Sequence, residues 1–91
     1  MTTIYKYALE VTDEQTVLMP KGSKVLSCAV QNNHLQVWAL VDPRAAFVAH
    51  SFRIAGTGQA APVAAVGFIG TVFMASDHLV FHVFDNGEVA S

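Results

Sequence analysis

Polar and apolar residues alternate along most of the chain, and the 3.6-residue periodicity of an amphipathic helix is weak nearly everywhere. In the first alternating run, Tyr5, Tyr7 and Leu9 fall on one face, whereas Lys6 and Glu10 fall on the other. This period of two is typical of a half-buried strand. The pattern predicts seven short strands, at residues 4–12, 15–19, 24–31, 34–42, 47–55, 68–74 and 78–84.

Turn signals separate these runs, and one of them is typical of a hairpin. Asn32-Asn33 lies between two strands, and asparagine tolerates the positive φ that tight hairpins require. Seven strands at a spacing of roughly 8–12 residues predict an all-β fold, either a small antiparallel sandwich or a partly open barrel. A chain of 91 residues has room for one domain, which we assign to residues 4–85, with a frayed tail at 86–91.

The distribution of large apolar residues predicts both a core and a second apolar surface. Residues 24–31 are apolar on both faces, which favours a central strand. Several strands share this two-sided character, so we expect self-association, with a dimer as the commonest closed form. We expect five side chains in the core: Tyr7, Trp38, Phe52, Leu79 and Phe81.

A long uncharged stretch requires a test for a membrane span. Residues 54–76 carry no charge, but glycines, a glutamine and Pro62 interrupt the roughly 20 apolar residues that a transmembrane helix needs. We therefore expect no membrane span, and interpret residues 59–66 as a loop, with one helical turn at most, leading into a buried strand. No secretory signal is visible, and one free cysteine fits a reducing cytoplasm.

Charge and cysteine content narrow the classes of partner. Five Lys and Arg against seven Asp and Glu give a formal net charge of -2, and the cations are spread out, so we do not expect a nucleic-acid partner. One cysteine excludes an intramolecular disulfide and a zinc site built on several cysteines. His78 and His82 on one predicted strand would lie about 13 Å apart, too far to share a metal ion. We expect neither a metal nor a cofactor.

The sequence shows no nucleophile with a neighbouring base, and no pair of acid–base residues in a catalytic pattern. Cys28 lies between apolar neighbours in a predicted strand, where a thiol usually serves as packing. The serines lack the glycine context of a nucleophile elbow. We therefore predict that the protein is not an enzyme.

One segment does combine groups that suit an anion. Arg53, Gly56, Thr57 and Gly58 place a cation, a hydroxyl and two flexible residues within six positions. Glycine amides can converge on an anion, and a guanidinium can hold phosphate or carboxylate with two hydrogen bonds. With Trp38 they form a candidate ligand site, although the ending and helix of a P-loop are absent. In the alternative interpretation the glycines form a turn or bulge and Arg53 pairs with a cross-strand acid.

Several segments together resemble a family of small uncharacterised proteins of tailed phages and prophages. They are residues 4–7 (IYKY), 12–16 (TDEQT), 19–22 (MPKG), 38–42 (WALVD), 52–54 (FRI) with Gly56-Thr57-Gly58, 68–71 (FIGT) and 79–84 (LVFHVF). The resemblance covers residues 4–85 and implies a phage-encoded protein that acts in the cytoplasm of its bacterial host. It transfers no catalytic residue. Residues 59–66 depart from the family pattern, in which a more polar loop is expected.

Three function hypotheses follow from these observations. The first is a non-enzymatic phage accessory protein that binds a host protein, such as a defence or replication factor. The second is a protein that binds or sequesters a nucleotide or another small anion. The third is a minor virion or assembly component.

Overall fold

The structure, a computed structural model, describes residues 2–61 and 67–89. These residues form seven strands: β1 (Thr3–Leu9), β2 (Glu14–Pro20), β3 (Lys24–Gln31), β4 (His34–Val41), β5 (Phe47–Gly56), β6 (Phe68–Met74) and β7 (Leu79–Glu88). All neighbouring strands run antiparallel. The predicted all-β fold of about seven strands is confirmed.

The strands form two sheets. The three-stranded sheet has the order β1-β4-β3, and the four-stranded sheet has the order β2-β5-β7-β6. Within the described ranges the sheets do not close into a barrel, which is consistent with the sandwich alternative. The central strand of the smaller sheet is β4. Our prediction that residues 24–31 form a central strand is therefore wrong, because β3 lies at an edge with Leu26 exposed beside a bulge.

The hydrophobic interior lies between the inner faces of the sheets. Every second residue of β4 points into it, and these four are at most 1% exposed: Leu35, Val37, Ala39 and Val41. Of the five predicted core residues, Phe52 is fully buried, and Tyr7 and Phe81 pack partly buried against the core. Leu79 is exposed, near the start of β7. Trp38 lies on the outer face of β4, because the period of two places it opposite Val37 and Ala39.

The last two strands differ from their predicted form. β6 is an edge strand with Phe68 and Phe73 exposed, not the buried strand that we predicted. β7 continues to Glu88, because one extra residue of β7, Asn86, forms a bulge opposite Ser51 and Phe52 and the pairing with β5 resumes at Gly87. Residues 86–88 therefore belong to the sheet and not to a frayed tail, and the rest of that predicted tail includes residues 90–91, which lie outside the described residues.

The turn between β3 and β4 and the loop after β5 were both predicted from the sequence. Asn32 and Asn33 adopt φ values of 53° and 64°, which confirms the hairpin between β3 and β4. The predicted loop at 59–66 lies mostly outside the described residues, since 62–66 are not among them. Where the structure describes the chain, it contains no helix of the length and apolarity that crossing a membrane would take.

Candidate functional site

The residues predicted to bind an anion do not all meet in space. Arg53 lies on β5 with its half-buried side chain on the outer face, since its neighbours Phe52 and Ile54 belong to the core. Gly56 ends β5, and the turn that follows begins with Thr57. Trp38 belongs to the three-stranded sheet, and its side chain lies on the outer face of that sheet. Trp38 is therefore not part of a site with Arg53.

Arg53 lines a cavity and carries an unusual polar atom. The cavity measures about 450 Å³ and is bounded by Asp13, Gln59 and Ala60 among others. The Nε of Arg53 is buried, and no hydrogen-bond partner for it is present among the described residues. Glu14 lies directly opposite on β2, yet no ion pair joins the two side chains in that part of the structure. A buried donor without an acceptor is costly, and the Nε–H of Arg53 could donate to an oxygen of an external ligand without giving up a hydrogen bond within the described residues.

The glycine turn, by contrast, already has internal partners. The Gly56 amide donates to Oε1 of Gln59 at 2.7 Å. Oγ1 of Thr57 lies 2.8 Å from Nε2 of His82, and Oγ1 of Thr71 lies 2.9 Å from Nδ1 of the same ring. In a neutral imidazole one nitrogen donates and the other accepts, so both threonine contacts are satisfied together. This network holds the turn to β7 and leaves the Gly56 amide and the Thr57 hydroxyl occupied.

A second histidine forms a buried pair that the sequence spacing did not reveal. His50 is 3% exposed, and its Nε2 lies 2.6 Å from Oδ1 of Asp85, 35 positions later in the chain. The same carboxylate oxygen accepts the Gly87 amide at 2.8 Å. Burial raises the pKa of Asp85, but the hydrogen bonds from His50 and Gly87 outweigh it and hold the pKa below its usual value. The pair fastens β5 to the end of β7, where the bulge lies.

The remaining chemistry-bearing groups are dispersed. Cys28 is half-buried against β6, and its Sγ would lie 3.0 Å from a Cβ at Gly70. Burial raises the pKa of this thiol, which disfavours the reactive thiolate. His78 lies in the turn before β7. Our prediction that His78 and His82 share one strand is therefore wrong. Within residues 2–61 and 67–89, no three His, Cys, Asp or Glu side chains come together as metal ligands would.

The outer face of the three-stranded sheet carries an apolar surface that we call the Trp38 face. Strand register places Lys6 directly opposite the half-buried Trp38, and aligns Ile4 and Lys24 with Leu40 on either side of β4. Ile4 is 56% exposed and Leu40 is 37% exposed. The Trp38 face consists of Ile4, Lys6, Lys24, Trp38 and Leu40.

The charge of the Trp38 face is of one sign. The strands β1, β3 and β4 contain two lysines, Lys6 and Lys24, and no aspartate or glutamate. The Lys6 ammonium donates to Oε1 of Gln31 at 2.8 Å, so its side chain crosses β4 toward β3. The face therefore offers aromatic and aliphatic area bordered by positive charge. Alternation along residues 34–42 could have revealed it, had the inner face of β4 been identified from the sequence.

The comparisons with known proteins give a family but no characterised relative. A family model described as a domain of unknown function, DUF7352, matches residues 1–91. The search of the curated proteins gave no match. The search of the solved structures gave none either.

Proposed function

Since the chain belongs to the DUF7352 family, a domain of unknown function, we propose from its own surfaces that it acts by binding another protein, without catalysis. The observation that carries this proposal is the Trp38 face, which joins exposed Ile4 and Leu40 to a half-buried tryptophan. Tryptophan is enriched among the residues that dominate binding energies at protein interfaces. A tryptophan held on a rigid central strand is ordered before the partner arrives, so little conformational entropy is lost on binding.

The charge of this face indicates the chemistry of the partner. Lys6 and Lys24 border the apolar residues, and no acid on the three strands neutralises them. A complementary surface therefore presents apolar side chains flanked by Asp or Glu. Such charge matching mainly raises the association rate and the specificity.

We also propose where the protein comes from and where it acts. The resemblance of the segments around Trp38 and Gly56 to phage proteins supports a phage-encoded accessory protein in the cytoplasm of a bacterial host. Its partner would then be a host defence or replication protein that carries an acidic and apolar surface. A virion component, the third hypothesis, would instead copurify with phage particles.

The placement of the reactive groups also supports a binding role. Burial raises the pKa of Cys28, which disfavours its reactive thiolate. Both nitrogens of His82 contact threonine hydroxyls, and His50 is enclosed in the interior with Asp85. None of these groups combines access, a reactive state and a catalytic neighbour.

The test compares two variants of the face with one matched control. Bacterial lysate is passed over immobilised wild-type protein, Trp38→Ala, Lys24→Glu and Leu18→Ala, and retained proteins are identified by mass spectrometry. Leu18 is the control, because it is 63% exposed and lies on the other sheet. We expect one partner that wild type and Leu18→Ala retain and both face variants lose, and at least tenfold weaker binding of the purified partner to the variants. Equal retention by Trp38→Ala and wild type would contradict the proposal.

A second candidate function rests on Arg53. Its buried Nε, for which the described residues supply no acceptor, lies on a residue that lines a cavity of about 450 Å³ and favours a small oxyanion ligand such as a phosphate or nucleotide. Thermal denaturation with millimolar inorganic phosphate or mono-, di- and cyclic nucleotides tests it. We expect a rise in melting temperature that Arg53→Lys abolishes and that Arg44→Lys, a change at an exposed turn, preserves. An unchanged melting temperature of the wild-type protein would remove this candidate.

A further inference from the structure

We propose that β1 pairs, edge to edge and antiparallel, with β1 of a second copy of this chain, with the two-fold axis at Tyr5. In the described residues β1 pairs only with β4, so the main-chain groups on its other side have no strand partner. Residues 3–6 are all exposed. An exposed edge strand of this kind is a template for another strand. The inference concerns self-association and does not depend on the proposed partner of the Trp38 face.

The other three edge strands carry features that oppose such pairing, and β1 does not. β2 ends in Pro20, which has no amide hydrogen to donate. β3 has a bulge between Val25 and Ser27, and β6 has a register shift between Phe68 and Gly70. β1 contains no proline or glycine and pairs with β4 in unbroken register over all its seven residues. The straight, regular edge is therefore the one at β1.

A lysine in the middle of an edge strand usually blocks pairing, but Lys6 is directed elsewhere. Its ammonium donates to Gln31 on β3, at the opposite edge of the same sheet. The side chain therefore reaches away from the open edge. The ammonium therefore does not block an incoming strand, although its charge remains on the outer face of β1.

Contacts of Glu10, just beyond the end of β1, limit the register in which two copies of β1 can pair. The amide and carbonyl of Glu10 are bound by the side chain of Gln15, at 2.9 and 2.6 Å, so the backbone just beyond β1 is occupied. The open edge extends from Thr3 to Leu9. A two-fold at Tyr7 would set Ile4 of one copy against the occupied Glu10 backbone of the other, whereas a two-fold at Tyr5 uses only residues 3–7. A two-fold at Tyr5 places each Lys6 opposite Ile4 of the second copy, whereas a two-fold at Lys6 would place two like charges opposite each other, which is unfavourable.

Pairing in this register joins the two three-stranded sheets into one continuous six-stranded sheet. The two copies of Tyr5 meet at the axis as an aromatic cross-strand pair. Each Trp38 lies one strand inward from β1. Three strand spacings of about 4.8 Å then separate the two tryptophan-bearing strands by about 14 Å on one surface.

The first test measures mass with variants that change charge at the predicted pair. Sedimentation equilibrium of the wild-type chain from 1 to 200 µM should show a monomer–dimer equilibrium. Ile4→Lys places lysines opposite each other twice, so we expect at least a tenfold higher dissociation constant. Ile4→Glu places a carboxylate opposite Lys6 and should retain the dimer. Leu18→Lys, at a position of similar exposure on the other sheet, should leave the equilibrium unchanged.

The second test determines the register by cross-linking. In a Cys28→Ala background, Tyr5→Cys places two thiols at the axis, within the distance of a disulfide, whereas Ala8→Cys places them about 20 Å apart. We expect oxidation to yield a covalent dimer of Tyr5→Cys and only monomer of Ala8→Cys. A wild-type chain that stays monomeric at 200 µM, an equal response to Ile4→Lys and Leu18→Lys, or equal cross-linking of both cysteine variants would overturn the proposal.

Discussion

Each face of β4 carries a leucine, but the surroundings of the two faces are opposite. On the inner face Leu35 and Val41 are each 1% exposed and Val37 is completely buried. On the outer face Trp38 is half-buried and Leu40 is 37% exposed. The inner face packs against the four-stranded sheet, whereas no strand covers the outer face in the described part of the chain.

The hydrophobicity of its residues alone therefore does not determine whether a strand face is buried. Leu35 on the inner face contributes to stability through nearly complete burial and packing, and Leu40 on the outer face, at 37% exposure, contributes less of both. Trp38 and Leu40 are therefore available for function, and they can be changed with smaller effects on the fold than the inner residues. Three predictions test the two faces and one tests the polar interior, from the largest expected effect to the smallest.

Leu35→Ala should have the largest effect. It removes a fully buried side chain and leaves a cavity, which typically costs about 2–5 kcal/mol. Chemical denaturation followed by Trp38 fluorescence measures the change in the free energy of unfolding. A loss below about 1 kcal/mol would mean that the inner face of β4 is not packed as described.

Asp85→Asn tests the polar part of the interior. The change removes the charged partner of buried His50, so we expect a loss of about 1–3 kcal/mol at neutral pH. The pKa of Asp85 is lowered in the folded state, so its stabilising effect is complete above its usual value of 3.8 and is lost as pH falls through the lower folded pKa.

The pH profile separates the charge from the shape of this side chain. Between pH 5 and pH 2, the free energy of unfolding of the wild-type protein should fall more steeply than that of Asp85→Asn. Parallel profiles would show that the carboxylate does not supply this stability. Asp77→Asn, at an exposed turn position, is the matched control.

Trp38→Ala should have an intermediate effect on stability. The side chain is half-buried on the outer face, so we expect a loss of about 1 kcal/mol, well below the value for a core aromatic. Thermal denaturation followed by far-ultraviolet circular dichroism measures it without the tryptophan signal. A loss of 3 kcal/mol or more would restore our sequence prediction that Trp38 belongs to the core.

Leu40→Ala should have the smallest effect. It makes the same substitution as Leu35→Ala on the same strand, but on the outer face, so we expect a change of about 0.5 kcal/mol or less. Denaturation of the two variants under one set of conditions gives the comparison directly. Similar losses for both would contradict the assignment of the two faces.

Much of the secondary structure was predictable because it depends on short-range pattern. Alternation located all seven strands, and Asn32-Asn33 located a hairpin through its tolerance of positive φ. The end of β7 was not predictable, because Asn86 and Gly87 resemble a turn locally, and the pairing of Gly87 with β5 depends on a bulge at Asn86. The Thr57–His82–Thr71 contacts were equally hidden, since they join positions up to 25 residues apart.

The candidate site residues were also only partly predictable from the sequence. The sequence identified Arg53 and Trp38 as residues of interest, but placed them in one site. The structure assigns Arg53 to a cavity beside the four-stranded sheet and Trp38 to the outer face of the three-stranded sheet. Their separation follows from strand order, which no local pattern encodes.

By itself, the sequence determined an all-β fold of about seven strands, because a period of two and turn residues act over a few positions. Only the tertiary structure decided which apolar face is buried, which edge stays open and which polar groups find partners. These properties depend on the order and register of strands that are distant in the chain. Burial of Leu35, exposure of Leu40 and the open edge of β1 are therefore results of the assembled sandwich.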